Sequence, residues 1–164
     1  NATDVSEIID GKPEYYRFMV SYARYYPLSR KYVFMYNFQA GTTLHSQGFI
    51  FDNFYLGGVQ QLYDRQAVFV GLNEGQITTT SITSLLAGVQ YNLYGNLFLT
   101  GKANSGFYNF SNEDKFYDPD AVKWINGFSL GAGYNLSVLP MEFTAIYSPE
   151  INTVYLHVKI GFLF

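Results

Sequence analysis

The chain has 164 residues, of which 48% are hydrophobic, 20% aromatic and only 14% charged, with 15 Gly and no Cys. A soluble domain carries about a quarter of its residues as charges, so part of this surface is not built for water, yet a mean hydropathy of −0.02 is too polar for stacked membrane helices. The aromatic content excludes disorder, the missing Cys excludes disulfide frameworks and thiolate metal sites, and a net charge of −3 with a pI near 5.2 lacks the basic stripe that a nucleic-acid partner requires.

The chain opens at Asn1 with no Met, basic n-region or apolar h-region, so a mature protein or a fragment is expected. From there a period of two dominates. Tyr16, Phe18, Val20 and Tyr22 alternate with Tyr15, Arg17, Met19, Ser21 and Ala23, predicting a strand over 14–27. Tyr32, Phe34, Tyr36, Phe38 and Ala40 alternate with Lys31, Val33, Met35, Asn37 and Gln39, predicting a second over 30–44. Residues 45–77 read as a long loop. The uncharged stretch from Gln76 to Gly101, about 26 residues, is long enough for a membrane helix. Its Thr, Ser, Gln and Asn content and the turn signal Tyr94-Gly95-Asn96 favour two strands instead, 78–93 and 96–108. After a loop over 109–123, Phe128, Leu130, Ala132, Tyr134 and Leu136 alternate with Gly127, Ser129, Gly131, Gly133 and Asn135, predicting a strand over 124–137. Strands over 140–148 and 153–164 follow, the last with Val154, Leu156, Val158, Ile160, Phe162 and Phe164 on one face.

Long strands, apolar on one face and small or polar on the other, with tight turns at one end and long loops at the other, match an outer-membrane barrel. Only the short connection at 148–152 breaks the turn alternation. Tyr25, Tyr26, Tyr94, Tyr108, Trp124 and Tyr147, near strand ends, suit interfacial girdles. The competing reading is a soluble sandwich or small barrel binding an apolar ligand. It has to place Ser129, Gly131 and Gly133 on a solvent face, where charges are usual. The fold class expected is therefore all-β, an antiparallel transmembrane β-barrel segment of about seven strands.

Phe54-Tyr55-Leu56-Gly57-Gly58, followed by Phe69-Val70-Gly71-Leu72, resembles the signature at the start and tip of the sixth extracellular loop in Omp85-superfamily barrels. That signature is an aromatic, Leu-Gly-Gly, a spacer and an Arg-Gly-aromatic tip; here Val70 stands at the Arg position and Leu72 at the aromatic one. The departure resembles the C-terminal barrels of patatin-like phospholipases, particularly in Bacteroidetes, as do Gly88-Val89-Gln90-Tyr91, Asn104-Ser105-Gly106 and Ile160-Gly161-Phe162-Leu163-Phe164. The resemblance implies the last seven strands of a sixteen-stranded barrel, with 1–13 as the end of an extracellular loop, 14–164 as barrel segment and 45–77 as the counterpart of loop 6. It implies a bacterial outer-membrane location and an anchoring, export or display role for an upstream lipid acyl hydrolase. An Omp85-type insertion or secretion barrel with periplasmic domains is the alternative. Implied partners are outer-membrane lipid and glycolipid, the outer-membrane assembly machinery, and the upstream hydrolase or periplasmic domain of the same chain. Phe54, Leu56, Gly57, Gly58, Arg65, Val70 and Gly71 carry the loop motif. Val158, Ile160, Phe162 and Phe164 resemble a C-terminal assembly signal. Arg65 is the one Lys or Arg in the loop, and it or the Gly57-Gly58 bend is expected to fold the loop into the lumen.

Catalytic, cofactor-binding and metal residues are not expected in this segment. No Gly-x-Ser-x-Gly elbow occurs, and Asp10-Gly11 reads as a turn. His45 and His157 lack ligand spacing; His157 is expected on the inner face beside Lys159. Glu113, Asp114, Asp118 and Asp120 read as a solvated loop, and Gly131-Ala132-Gly133 as strand packing.

Overall fold

A computed structural model describes residues 16–44, 53–111, 116–135 and 139–161. Seven long strands form one antiparallel sheet: β1 (Tyr16–Pro27), β2 (Tyr32–Leu44), β6 (Ser81–Tyr94), β7 (Leu97–Tyr108), β8 (Lys123–Tyr134), β9 (Met141–Ser148) and β10 (Thr153–Ile160). Each pairs with its neighbour in chain order, and among the described residues β1 and β10 pair on one side only. Three short strands inside the 45–80 connection, β3 (Phe54–Leu56), β4 (Gln66–Ala67) and β5 (Ile77–Thr79), form a second sheet ordered β4-β3-β5.

The expected strand over 78–93 begins instead at Ser81. Residues 77–79 leave the main sheet to pair with β3, and the break is held locally: Thr79 Oγ1 donates to the Ser81 carbonyl at 3.0 Å, and Thr43 N–H donates to the Thr80 carbonyl at 2.8 Å. The turns agree with the sequence pattern. Leu28 and Ser29 N–H both donate to the Tyr32 carbonyl, and the Ser29 hydroxyl accepts from Lys31 and Tyr32 N–H. The short β9–β10 turn closes with Asn152 N–H on the Ser148 carbonyl at 2.8 Å.

The period-2 faces sort by exposure. Leu130 is 74% exposed and Leu156 80%, and Leu85, Leu99, Phe128, Phe143, Val154 and Val158 lie exposed on the same face. The opposite face is polar and covered, with Gln39, Ser84, Thr100, Asn104, Ser129 and Thr144 all buried. A soluble sandwich requires the reverse, because its apolar face is its core. An apolar face this large and open calls for lipid or another apolar cover.

Small residues on the covered face make room for larger neighbours. Gly133 pairs with Phe98, and its missing side chain leaves space for that ring. Two of the expected girdle residues fall on this inner face. Tyr25 pairs with buried Met35 and Tyr108 packs against the buried cluster, because each has the parity of the covered face. Tyr94 and Trp124 lie exposed, as interfacial rings would.

Candidate functional site

The feature that the sheet positions is the segment from 53 to 80, which folds onto the inner face. It starts at β3 and bends at Gly57-Gly58, where φ is 137° and 92°, a region that favours glycine. Side chains there would also run into the Asn73 carbonyl and the Glu74 carboxylate. The bend lets Gly57 N–H donate to the Ala67 carbonyl at 3.1 Å and Gly58 N–H to the Leu72 carbonyl at 3.0 Å, while the Gly58 carbonyl accepts from Phe69 N–H at 3.2 Å. Two separate stretches are thereby tied to one point.

Gln66, fully buried, staples the interior of the loop. Its amide nitrogen lies 2.7 Å from the Gly57 carbonyl, 3.1 Å from the Gln60 carbonyl and 2.6 Å from the Glu74 carboxylate, and its carbonyl oxygen accepts from Leu62 N–H at 2.6 Å. Buried polar groups are costly unless so satisfied. Nothing in the spacing of the sequence singled this residue out. Arg65, directly before it, is half-buried with φ at 69°, and its carbonyl accepts from Tyr55 N–H at 3.0 Å. Partial burial, with Glu74 and Tyr55 close, raises the Tyr63 phenol above its usual range.

The tip, Phe69–Leu72, lies against the sheet. Val70 sits over the cross-strand row Leu86, Asn104 and Gly127. Its side chain packs with Met35 and Leu86, its N–H donates to Asn104 Oδ1 at 3.1 Å, and its carbonyl occupies the space that a Gly127 side chain would take. Asn104 is oriented in turn by donating to Ser84 Oγ at 3.3 Å. Gln39 Oε1 accepts from Val68 N–H at 2.9 Å. Phe54, Leu56, Phe69 and Leu72 form one buried cluster with Ile82 and Ile125 of the wall. Full burial of such a side chain contributes about 1.5–3 kcal/mol, so five of them, Val70 included, exceed what one ion pair at the tip would add.

Between the loop and the wall lies a mainly polar cavity of about 240 Å³, where Val59, Gln60 and Glu74 of the loop face Lys102, Glu142, Thr144, His157, Val158 and Lys159 of the wall. Three inner-face rows deliver the wall residues: Lys102 beside Ser129 and Ile146, Thr144 beside His157, and Glu142 beside Lys159. Charges of both signs suit a water-filled lumen rather than a pocket for an apolar ligand. Among the described residues no three His, Asp or Glu gather as metal ligands.

Of the other residues singled out in the sequence, Val158 and Ile160 lie exposed on the outer face. Phe162, Phe164, His45, Glu113, Asp114, and Asp10-Gly11 lie outside the described residues. Asp118 and Asp120 lie on the loop before β8.

A family model described as the OMP85 superfamily matches residues 12–164. Neither the curated proteins nor the solved structures contain a match.

Proposed function

Because the chain belongs to the OMP85 superfamily, we propose that it is a segment of an outer-membrane β-barrel that anchors, and exports or displays, a patatin-like lipid acyl hydrolase carried on the same protein. Superfamily membership points to the bacterial outer membrane, and no catalytic role is assigned to this segment. The observation that carries the reading is the loop tip. Val70 stands where the superfamily usually has Arg, and apolar burial and backbone hydrogen bonds seat the tip on the wall. A loop seated on the inner face takes up lumen space, which suits an anchor better than an open diffusion pore.

Among the described residues β1 and β10 are each paired on one side only, and an unpaired strand edge cannot stand in lipid. The proposal therefore includes further strands, completing an even-stranded barrel together with these seven. Residues Phe54, Leu56, Gly57, Gly58, Val70 and Gly71 act in it as the structural lock of the loop, with Arg65 at its outer turn. Val158, Ile160, Phe162 and Phe164 serve as the segment that the assembly machinery reads.

A second reading, a barrel that inserts or secretes polypeptides, is favoured by superfamily membership itself. The experiment that separates them is expression of the intact protein in a bacterium with two membranes, followed by fractionation and a phospholipid acyl-hydrolase assay. The anchor reading expects a heat-modifiable outer-membrane protein with hydrolase activity lost on mutating a Gly-x-Ser-x-Gly serine. An outer-membrane protein that lacks this activity and binds unfolded polypeptide through periplasmic repeats would replace it with the second reading.

A further inference from the structure

Arg24 is a permanent cation on the apolar face of the sheet. It pairs across the sheet with Tyr36, whose next partner on that face is Ala87, then Ala103 and Phe128. Tyr22 and Tyr26, two residues either side on the same face, complete a tyrosine ring. Arg24 Nη1 donates to the Tyr22 hydroxyl at 3.3 Å, and its guanidinium lies 5.1 Å from the centre of the Tyr26 ring. The Tyr22 and Tyr26 rings lie 5.6 and 5.9 Å from that of Tyr36.

Among the described residues no carboxylate meets Arg24; its neighbours are the three tyrosines. A guanidinium has five N–H donors, and one of them is used here by a side chain. Its depth is also defined. Arg24 lies three residues before Pro27, where the short β1–β2 turn begins, so at about 3.3 Å per residue and a strand tilt of about 40° it sits under 10 Å below the turn. That is the headgroup region, where phosphates are the abundant anions. Arg30 and Lys31, exposed in the same turn, add positive charge at that rim.

We propose that Arg24, with the hydroxyls of Tyr22, Tyr26 and Tyr36, forms a binding site for the phosphate of a membrane phospholipid in the leaflet at the short-turn end of the sheet. The guanidinium supplies a planar pair of donors for two phosphate oxygens. The phenols supply further donors, and their rings shield the contact from water. The acyl chains then run along the exposed apolar face past Phe38 and Leu85. The site rests on the membrane reading of that face.

The test uses the intact protein purified in a neutral maltoside detergent. Native mass spectrometry would follow retention of added phosphatidylglycerol, with diacylglycerol and inorganic phosphate as separate arms. The variants are Arg24→Gln, Tyr36→Phe and, as a turn control, Lys31→Gln. Phosphatidylglycerol is expected to bind wild type and Lys31→Gln alike, about tenfold more weakly to Arg24→Gln, and at an intermediate level to Tyr36→Phe. Diacylglycerol and inorganic phosphate are expected to be retained weakly and equally by all four. Heat-modifiable migration reports folding, and where Arg24→Gln does not fold, Tyr36→Phe decides. Equal phospholipid retention by wild type and the folded variants would overturn the site, as would diacylglycerol or free phosphate matching the phospholipid. A protein that folds in detergent but shows no Arg24 dependence loses this site alone; one that stays folded and monomeric in plain buffer loses the membrane reading beneath it.

Discussion

Gly127 is where the Val70 carbonyl of the loop backs directly onto the wall, so its change reports directly on their union. An added methyl would meet the Val70 carbonyl, which is backbone and cannot rotate away. Gly127→Ala is expected to destabilise the protein by about 1–3 kcal/mol, as overpacking does, and to speed tryptic cleavage after Arg65 as the loop lifts. Limited proteolysis followed by mass spectrometry checks this. Asn104 gives the complementary test. Asn104→Leu keeps the branched outline of the side chain but leaves the buried Val70 N–H without its acceptor, an expected loss of about 1–3 kcal/mol read from the urea midpoint. Together the two variants separate shape from hydrogen bonding at one contact.

At the scale of elements, the seven long strands were legible because their two faces meet different surroundings, and a period of two survives wherever that holds over eight or more residues. Phe128 to Tyr134 read correctly from alternation alone. The loop's own strands were not legible: β3, β4 and β5 are two or three residues each, too short for a period to show. The Leu56-Gly57-Gly58 and Phe69–Leu72 motifs marked where the loop bends and where its tip lies, but Gln66, Gln39 and Asn104, which hold it, carry no spacing signal. Most of their partners are backbone groups, which leave no mark in the spacing of side chains. The girdle assignment of Tyr25 and Tyr108 failed for a related reason, since proximity to a strand end does not fix the face.

The β9–β10 turn carries a pH dependence. Burial raises the Glu150 carboxyl, but hydrogen bonds from the Asn126 side chain, from backbone N–H groups and from Ser148 Oγ together outweigh it, and its net pKa lies below the ordinary glutamate value. A depressed carboxylate adds stability above its unfolded pKa and loses it as pH falls through the folded one. Glu150→Gln is therefore expected to lower stability slightly in the neutral region, where the charged carboxylate contributes, and to flatten the acid limb of the stability profile below about pH 4.5, where wild type has lost that contribution. Thermal unfolding across pH 3 to 7 measures it.

At the scale of the whole molecule, the sheet is an inverted soluble protein: its polar face holds the loop and the cavity, and its apolar face is open. Depth should then set the penalty for a charge on the open face. Leu130→Arg, eighth of the twelve residues of β8, is expected to cost about 2–4 kcal/mol, whereas Val154→Arg, on the same open face near the start of β10, should cost about 0–1 kcal/mol. Unfolding titrations from lipid vesicles compare them. The most direct test of the central claim, that the even face of β10 meets lipid and the odd face the lumen, uses single cysteines, none of which this segment itself contains. Single cysteines at Leu156, His157, Val158 and Lys159 of the intact protein in membranes would be labelled with a fluorophore and exposed to a quencher carried on lipid acyl chains. Strong quenching at 156 and 158 with weak quenching at 157 and 159 is the predicted result. Equal quenching at all four positions, or none at 156 and 158, would contradict it.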